Sequence, residues 1–210
     1  MIETGDVDCL RLYLIRHGEI EGSCLGRVLG WTDKRLSETG IEQAQRLRDS
    51  LSALRLSAVY SSDLQRARVM AEIIAEPHSV EVCATTSWRE INMGEWEECT
   101  IASLHDQAPE MVKQLFEDPI SFQYPGGESF KDFVSRIKRG LDQLLSSHEG
   151  GAIVLVTHGG VCRTILGEAL EIPMKNWLRL SQDYGCLNVI DWYERTPVVR
   201  LINGTTINKS

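Results

Sequence analysis

The sequence predicts an α/β protein: a three-layer α/β/α sandwich around a mostly parallel sheet, with a small helical cap inserted. Three observations predict it. Short apolar runs alternate with stretches of helical periodicity along the chain, which is the order of an α/β sandwich. Several of the runs are apolar at nearly every position, as strands covered on both faces must be. And the stretch from Glu95 to Gly127 contains no strand pattern.

The elements follow in order. Leu10–Ile15 is an apolar run that ends abruptly at Arg16-His17-Gly18-Glu19. A helix follows, in which Ile41, Ala44, Leu47, Leu51 and Leu54 recur at helical spacing. Thr39 and Glu42 fit a capping box at its start. Ala58–Tyr60 reads as a short strand before a Ser-Ser turn. Ser62 and Gln65 fit a second capping box, ahead of a helical stripe of Leu64, Ala67, Ala71 and Ile74. That places Arg66 in the first turn, near the positive end of the helix dipole. Val80–Ala84 is a third strand. Residues 95–127 form the cap. Phe130, Phe133, Val134, Ile137, Leu141 and Leu144 stripe another helix. Ala152–Val156 repeats the first pattern, an apolar run followed by His158 and two glycines. Leu187–Trp192 and Val198–Ile202 complete the strands.

At 210 residues the chain is read as one domain, residues 1–210. It carries 22 Lys+Arg against 30 Asp+Glu, a net charge of −8. Such a surface repels nucleic acid and anionic membranes, so neither is expected as a partner. No apolar run approaches the ~20 residues of a membrane span. The start, "MIETGDVDCL", lacks a signal-peptide pattern, and the cytosol is the expected compartment. A homodimer is compatible with the sequence. The six cysteines, at 9, 24, 83, 99, 162 and 186, form no C-x-x-C pair. They read as reduced and mostly buried thiols.

An acidic protein that handles an anion needs a local cationic pocket. In open α/β sheets ligands gather at the carboxyl ends of strands. His17 and His158 each follow such an end. Gly159 and Gly160 let backbone N–H groups approach a ligand where a helix begins. Arg16, His17, Arg66, His158 and the Gly159 amide can converge on one rim as a pocket for a dianion, most simply a phosphoryl group. A lone histidine after a strand is more often structural than functional. Two run–His–Gly units with two arginines at element ends outweigh that bland reading. A metal site is disfavoured, because Arg16 would repel the ion and no Cys or Asp cluster completes the ligands. No metal or other cofactor is expected. His78, His105 and His148 receive no role.

These residues match a known pattern. "LIRHGE" with the downstream "VTHGG" resembles the histidine phosphatase, or phosphoglycerate mutase-like, superfamily. "GRVLGWTDKRLSETGIEQA", "YSSDLQRARVMAEIIA" and "WREINMGEWEE" resemble three further segments of that family, in the family's order. R-H-G alone is weak; five ordered segments are specific. The resemblance implies that His17 is the nucleophile of a phosphohistidine mechanism. It implies that Arg16, Arg66 and His158 bind phosphoryl oxygens and that Glu90 donates the proton to the leaving group. Trp88, Ile91 and Met93 flank Glu90 and can exclude water from it. Two departures stand out. Ile20 and Ser23 replace the family's usual Thr and Asn, although Ser23 can still donate one hydrogen bond to phosphate. Glu98 stands where the family has a glycine.

Mutases of the family carry an Arg-rich substrate segment, whereas residues 99–129 here contain no arginine. A phosphatase therefore fits better. "DPISFQYPGGES" and "RLSQDYGCLNVIDW" look most like the α-ribazole phosphatase branch, which acts in cobalamin nucleotide-loop assembly. Trp88, Trp96, Phe116, Phe122 and Tyr124 could stack on an aromatic leaving group, or could simply be cap core. Arg27 and Trp31, on the glycine-bracketed "GRVLGW" loop, are candidate lid residues, Arg27 also a substrate contact. Three functions compete: a metal-independent phosphomonoesterase acting on a small phosphorylated metabolite, a mutase or phosphotransferase, and a non-catalytic phospholigand-binding module. The last should have lost His17 or Glu90, and both are present. Release of free phosphate separates the first two.

Overall fold

A computed structural model describes residues 9–23, 26–194 and 196–207. Its six strands are β1 (Leu10–Arg16), β2 (Leu56–Ser62), β3 (Val82–Thr85), β4 (Gly151–Thr157), β5 (Leu187–Tyr193) and β6 (Thr196–Gly204), in the sheet order β3-β2-β4-β1-β5-β6. The first four are parallel; β5 runs antiparallel to β1, and β6 antiparallel to β5. The helices are α1 (Glu38–Leu51), α2 (Gln65–Ala75), α3 (Ile101–Gln107), α4 (Pro109–Glu117), α5 (Phe130–Ser146) and α6 (Gly159–Ala169).

Strand alternation divides the apolar residues between two layers. Leu10, Leu12, Leu14, Ile153 and Leu155 pack with the stripes of α5 and α6. Tyr13, Ile15, Val154 and Val156 pack with those of α1 and α2. Both faces are covered, so the expected α/β sandwich is present. Residues 94–117 hold a 3-10 turn at Gly94–Trp96, then α3 and α4. Trp96, Leu104, Val112, Phe122 and Tyr124 join the same apolar cluster as Leu12 and Leu14, so this segment is packed onto the body of the fold.

The structure corrects several local expectations. The N-cap of α1 is Ser37, whose hydroxyl accepts from Gly40 N, rather than Thr39. Ser62 is the last residue of β2 and Leu64 is the N-cap of α2, so Ser62 is not the helix cap; its hydroxyl accepts from Leu64 N and keeps its own proton to donate. Arg66 nevertheless lies in the first turn of α2, as expected. Strand β3 begins at Val82 rather than Val80. Of the five described cysteines only Cys162 and Cys186 are buried; Cys9 and Cys99 are half-buried and Cys83 is exposed. Cys24 and the first eight residues lie outside the described residues. No described helix is long and apolar enough to cross a membrane.

Candidate active site

Strand register builds the centre of the site. Arg16 at the end of β1 is paired with Thr157 at the end of β4. The next residues, His17 and His158, therefore leave the sheet side by side, with ring centroids 5.1 Å apart. His17 N donates to Thr157 O at 2.8 Å and locks the exit. The His17 ring is fixed by Nδ1, 2.8 Å from Gly18 O. A carbonyl can only accept, so Nδ1 carries the proton and Nε2 keeps its lone pair. Arg66 Nε lies 3.3 Å from that Nε2.

His158 is held from the other side. Its Nε2 lies 2.9 Å from the Ser62 hydroxyl at the end of the neighbouring strand β2. That hydroxyl already accepts from Leu64 N and is placed to donate to Nε2, which leaves His158 Nδ1 to carry the imidazole proton. His158 Nδ1 and Arg16 Nε are buried without a hydrogen-bond partner. Two buried donors without acceptors mark where a ligand's oxygens belong. His17, Arg66 and His158 are only 4, 1 and 1 % exposed. Burial, reinforced by the Arg66 and Arg16 charges, holds His17 well below the usual imidazole range. Burial also depresses His158, followed by the Arg66, His17 and Arg16 charges. Both rings are neutral at pH 7.

Arg66 reaches the site because two carbonyls take its far end: Nη1 donates to Thr32 O at 2.8 Å and Nη2 to Gly30 O at 2.6 Å. Arg16 lies with its guanidinium 4.0 Å from the Tyr184 ring centroid, in cation–π contact. Tyr184 comes from the loop leading into β5 and also stands 5.6 Å from the His17 ring.

Glu90 faces the histidines from a segment without regular structure, just after a 3-10 turn at Thr86–Trp88. Its Oε2 accepts from Gly160 N at 2.8 Å and its Oε1 from Ile91 N at 2.9 Å. A Cβ at position 160 would stand 2.2 Å from Glu90 Oε1, so only glycine admits the carboxylate there. The first turn of α6 thus presents its amides, and the positive end of its dipole, to this rim. A chamber of about 220 Å³ is lined by Arg16, His17, Arg27, Glu90, His158 and Gly159 with apolar neighbours.

Six of the expected residues, with Gly159 among them, therefore converge. Arg27 is exposed and reaches the chamber's rim, with Nη1 donating to Glu98 O. Ser23 does not converge: it is exposed and lines an adjoining surface hollow with Ile20, Lys34 and Tyr184. Both readings of the aromatic residues find support: core packing and, for two of them, a place on the chamber wall. Trp96, Phe122 and Tyr124 pack on one another with centroids 5.0–5.7 Å apart within the main apolar cluster, and Trp96 and Tyr124 also border the chamber. Trp88 is buried against Gly140, and Phe116 is 60 % exposed. Trp31 is tied down, its Nε1 donating to Glu90 O and its ring beneath Arg89.

Two residues that position the site are not among the expected site residues. Arg136, on α5, donates to the carbonyls of Ser87, Arg89 and Glu90 while paired with Glu128. Its place beside the apolar stripe of α5 was the only hint. Glu97 accepts from the backbone N–H groups of Gly30, Trp31, Thr32 and Met93. It thereby shapes the loop whose carbonyls hold Arg66. Burial pushes Glu97 up, but the Trp31, Gly30 and Thr32 amides outweigh it and hold the carboxyl below the usual range. Among the described residues no cluster of three or more His, Cys, Asp or Glu could hold a metal.

Comparisons with known proteins agree with this geometry. Residues 12–205 match the model of the histidine phosphatase superfamily (branch 1). Phosphoserine phosphatase 1 of Hydrogenobacter thermophilus is 31 % identical over 196 residues, 93 % of each chain. The probable phosphoglycerate mutase GpmB of Serratia proteamaculans is 34 % identical over 188 residues, 90 % of this chain and 87 % of that one. The crystal structure of a putative alpha-ribazole-5'-P phosphatase from Escherichia coli K-12 superposes with a TM-score of 0.88 at 27 % identity, covering 96 % of this chain and 99 % of that one. With two buried histidines, two arginines and a carboxylate around one chamber, and with the family match spanning nearly all of its length, the chain belongs to the histidine phosphatase superfamily and is an enzyme of its phosphatase or mutase kind.

Proposed function

We propose that the protein is a metal-independent phosphomonoesterase that works through a phosphohistidine on His17, with α-ribazole 5′-phosphate as its substrate and residues 95–127 as a cap on a single domain. The observation that carries the mechanism is the pinned imidazole: His17 Nδ1 is committed to Gly18 O, and Nε2 faces into a ring of donors. Three donors, on Arg16, Arg66 and His158, take the non-bridging oxygens and offset their charge. Nε2 attacks phosphorus as the ester P–O bond breaks, and Glu90 gives its proton to the departing oxygen. The Glu90 carboxylate then takes a proton from water. That water attacks phosphorus, the N–P bond breaks, and inorganic phosphate leaves with His17 neutral again. Because His17 stays neutral well into acid, the nucleophile is ready at pH 7 without a separate base.

The α-ribazole assignment is supported by the segments at 118–129 and 179–192 and by the overall likeness to the Escherichia coli structure. A mutase reading is favoured by the GpmB relatives. It requires a second substrate to take the phosphoryl group in place of water, and residues 99–129 offer no arginine to hold an acidic one.

The test is a rapid-quench experiment with radiolabelled substrate in the presence of EDTA. An acid-labile, base-stable phosphoenzyme should accumulate and decay to free phosphate. His17→Ala should form none and lose about 10⁵–10⁶ in kcat. Labelling that persists in His17→Ala would place the nucleophile elsewhere. A screen of α-ribazole 5′-phosphate against phosphoserine, phosphoglycerates and sugar phosphates then decides the substrate.

A further inference from the structure

A second hollow opens on the far side of Glu90 from the histidines. Its volume is about 170 Å³, and Glu90, Met93, Leu115 and Tyr124 border both it and the His17 chamber. The shared carboxylate matters most. A group that protonates a leaving oxygen must touch it, so whatever hangs from that oxygen continues past Glu90. The walls there are Leu115, Phe130, Phe133, Met174, Trp177 and Leu178. Phe130 and Trp177 are in ring contact, with centroids 6.0 Å apart.

Some of the polar groups around this hollow are spent on the protein itself, while the Arg163 guanidinium keeps its two outer nitrogens as donors. Trp177 Nε1 donates to Ile172 O, so the indole offers its carbon face. The Thr164 hydroxyl donates to Gly160 O. Arg163 Nε donates to Leu180 O. The volume is close to the ~150 Å³ of an apolar cavity that takes benzene. Leu178, at 63 % exposure, puts an unpartnered apolar side chain on the hollow's wall.

We propose that this hollow is the leaving-group subsite, and that it selects phosphomonoesters of alcohols with an apolar, ring-sized body over those of polyhydroxylated alcohols. The proposal rests on the phosphomonoesterase reading and narrows its substrate class. A plain aralkyl phosphate belongs to the selected class; a ribose phosphate joins it only with its sugar hydroxyls kept in the His17 chamber and the ring of its base in the hollow. Each hydroxyl carried against the apolar walls would shed water without a replacement partner, at roughly ten-fold in affinity.

The test uses the intact protein and n-alkyl phosphates from ethyl to hexyl, whose leaving alcohols have similar acidity, with benzyl phosphate and glucose 6-phosphate. kcat/KM should climb by about four-fold per methylene until the hollow is filled. Benzyl phosphate should rank among the best substrates and glucose 6-phosphate among the worst. Leu178→Glu, a change at an exposed position, should depress hexyl and benzyl phosphate at least ten-fold relative to ethyl. A flat alkyl series, a preference for glucose 6-phosphate, or an unchanged chain-length slope in Leu178→Glu overturns the subsite while phosphohistidine still forms. Failure of every ester to label His17 overturns the phosphomonoesterase reading instead.

Discussion

His17 and His158 owe their 5.1 Å spacing to the pairing of β1 with β4, whereas Glu90 stands on no strand or helix at all. The histidine floor is built on backbone ladders at the centre of the sheet, where each strand is held on both sides. The Glu90 wall is built from side chains that reach across the chain to backbone groups. Arg136 holds it through three carbonyls, Glu97 joins three amides of the facing loop to the Met93 amide of the wall, and Trp31 ties that loop to Glu90 O. The difference shows how one site combines two tolerances. A nucleophile and its oxyanion donors must be placed within a few tenths of an ångström. A wall that has to admit and release a leaving group can rest on weaker, individually removable contacts.

Arg66 belongs to both regions, and breaking it should have the largest effect. Arg66→Ala removes a charged donor from the floor, and such a loss typically costs 10²–10³ in kcat/KM. It also leaves the Gly30 and Thr32 carbonyls without their donor, at about 1–3 kcal/mol each if they stay buried. Stability should therefore fall along with rate, and Arg66→Lys should restore little, because an ammonium cannot span two carbonyls and a ligand as a guanidinium does. Steady-state kinetics paired with thermal melts measure both. An unchanged kcat/KM with a lower Tm would make Arg66 purely structural.

Glu90→Gln probes the wall alone. Phosphorylation of His17 by an alkyl phosphate should slow by about 10²–10⁴, the usual worth of a general acid. With p-nitrophenyl phosphate it should slow far less, since that phenolate leaves unaided. Dephosphorylation should slow equally for both, giving a burst with the activated ester. Equal losses in the first step would remove Glu90 from the role of acid.

A smaller, indirect effect is expected from Glu97→Gln. Each Glu97 oxygen accepts two N–H groups, so an amide nitrogen would face two donors. The loop behind Arg66 should loosen, with kcat/KM down about ten-fold and stability down by about 1–2 kcal/mol. The folded-state carboxyl lies below its ordinary value. Its stabilisation is therefore present above the unfolded-state pKa of roughly 4.3 and is lost as pH falls through the lowered folded value. The gap between wild type and variant should accordingly close in acid, as denaturant melts at pH 7 and pH 3 would show. A constant gap would separate Glu97's charge from its role.

The smallest effect concerns the rim. Glu98 has φ 64°, in the left-handed region, where the family's glycine sits without strain. Its exposed pair with Lys34 is worth little. Glu98→Gly should leave kcat/KM within about two-fold and shift stability by no more than about 1 kcal/mol, to the stable side. A marked loss of stability would show that the Lys34 pair fastens the rim.

The sequence by itself determined the strands, the helices and the floor of the site. Apolar period and strand-end position are local properties, and Arg16, His17 and His158 carry their meaning in the residues beside them. Arg66 was found on the same ground, although the supposed N-cap Ser62 proved to be the residue that orients His158. What the tertiary structure alone decided is the wall: the Glu90 seat on Gly160, the clamps of Arg136 and Glu97, the packing of Trp96, Phe122 and Tyr124 into the main apolar cluster, the displacement of Ser23 from the chamber, and the apolar hollow beyond Glu90. The physical reason is range. A helix or strand repeats its signal every few residues, whereas a side chain bonded to a backbone group 36, 49 or 70 positions away leaves no period in the sequence to read.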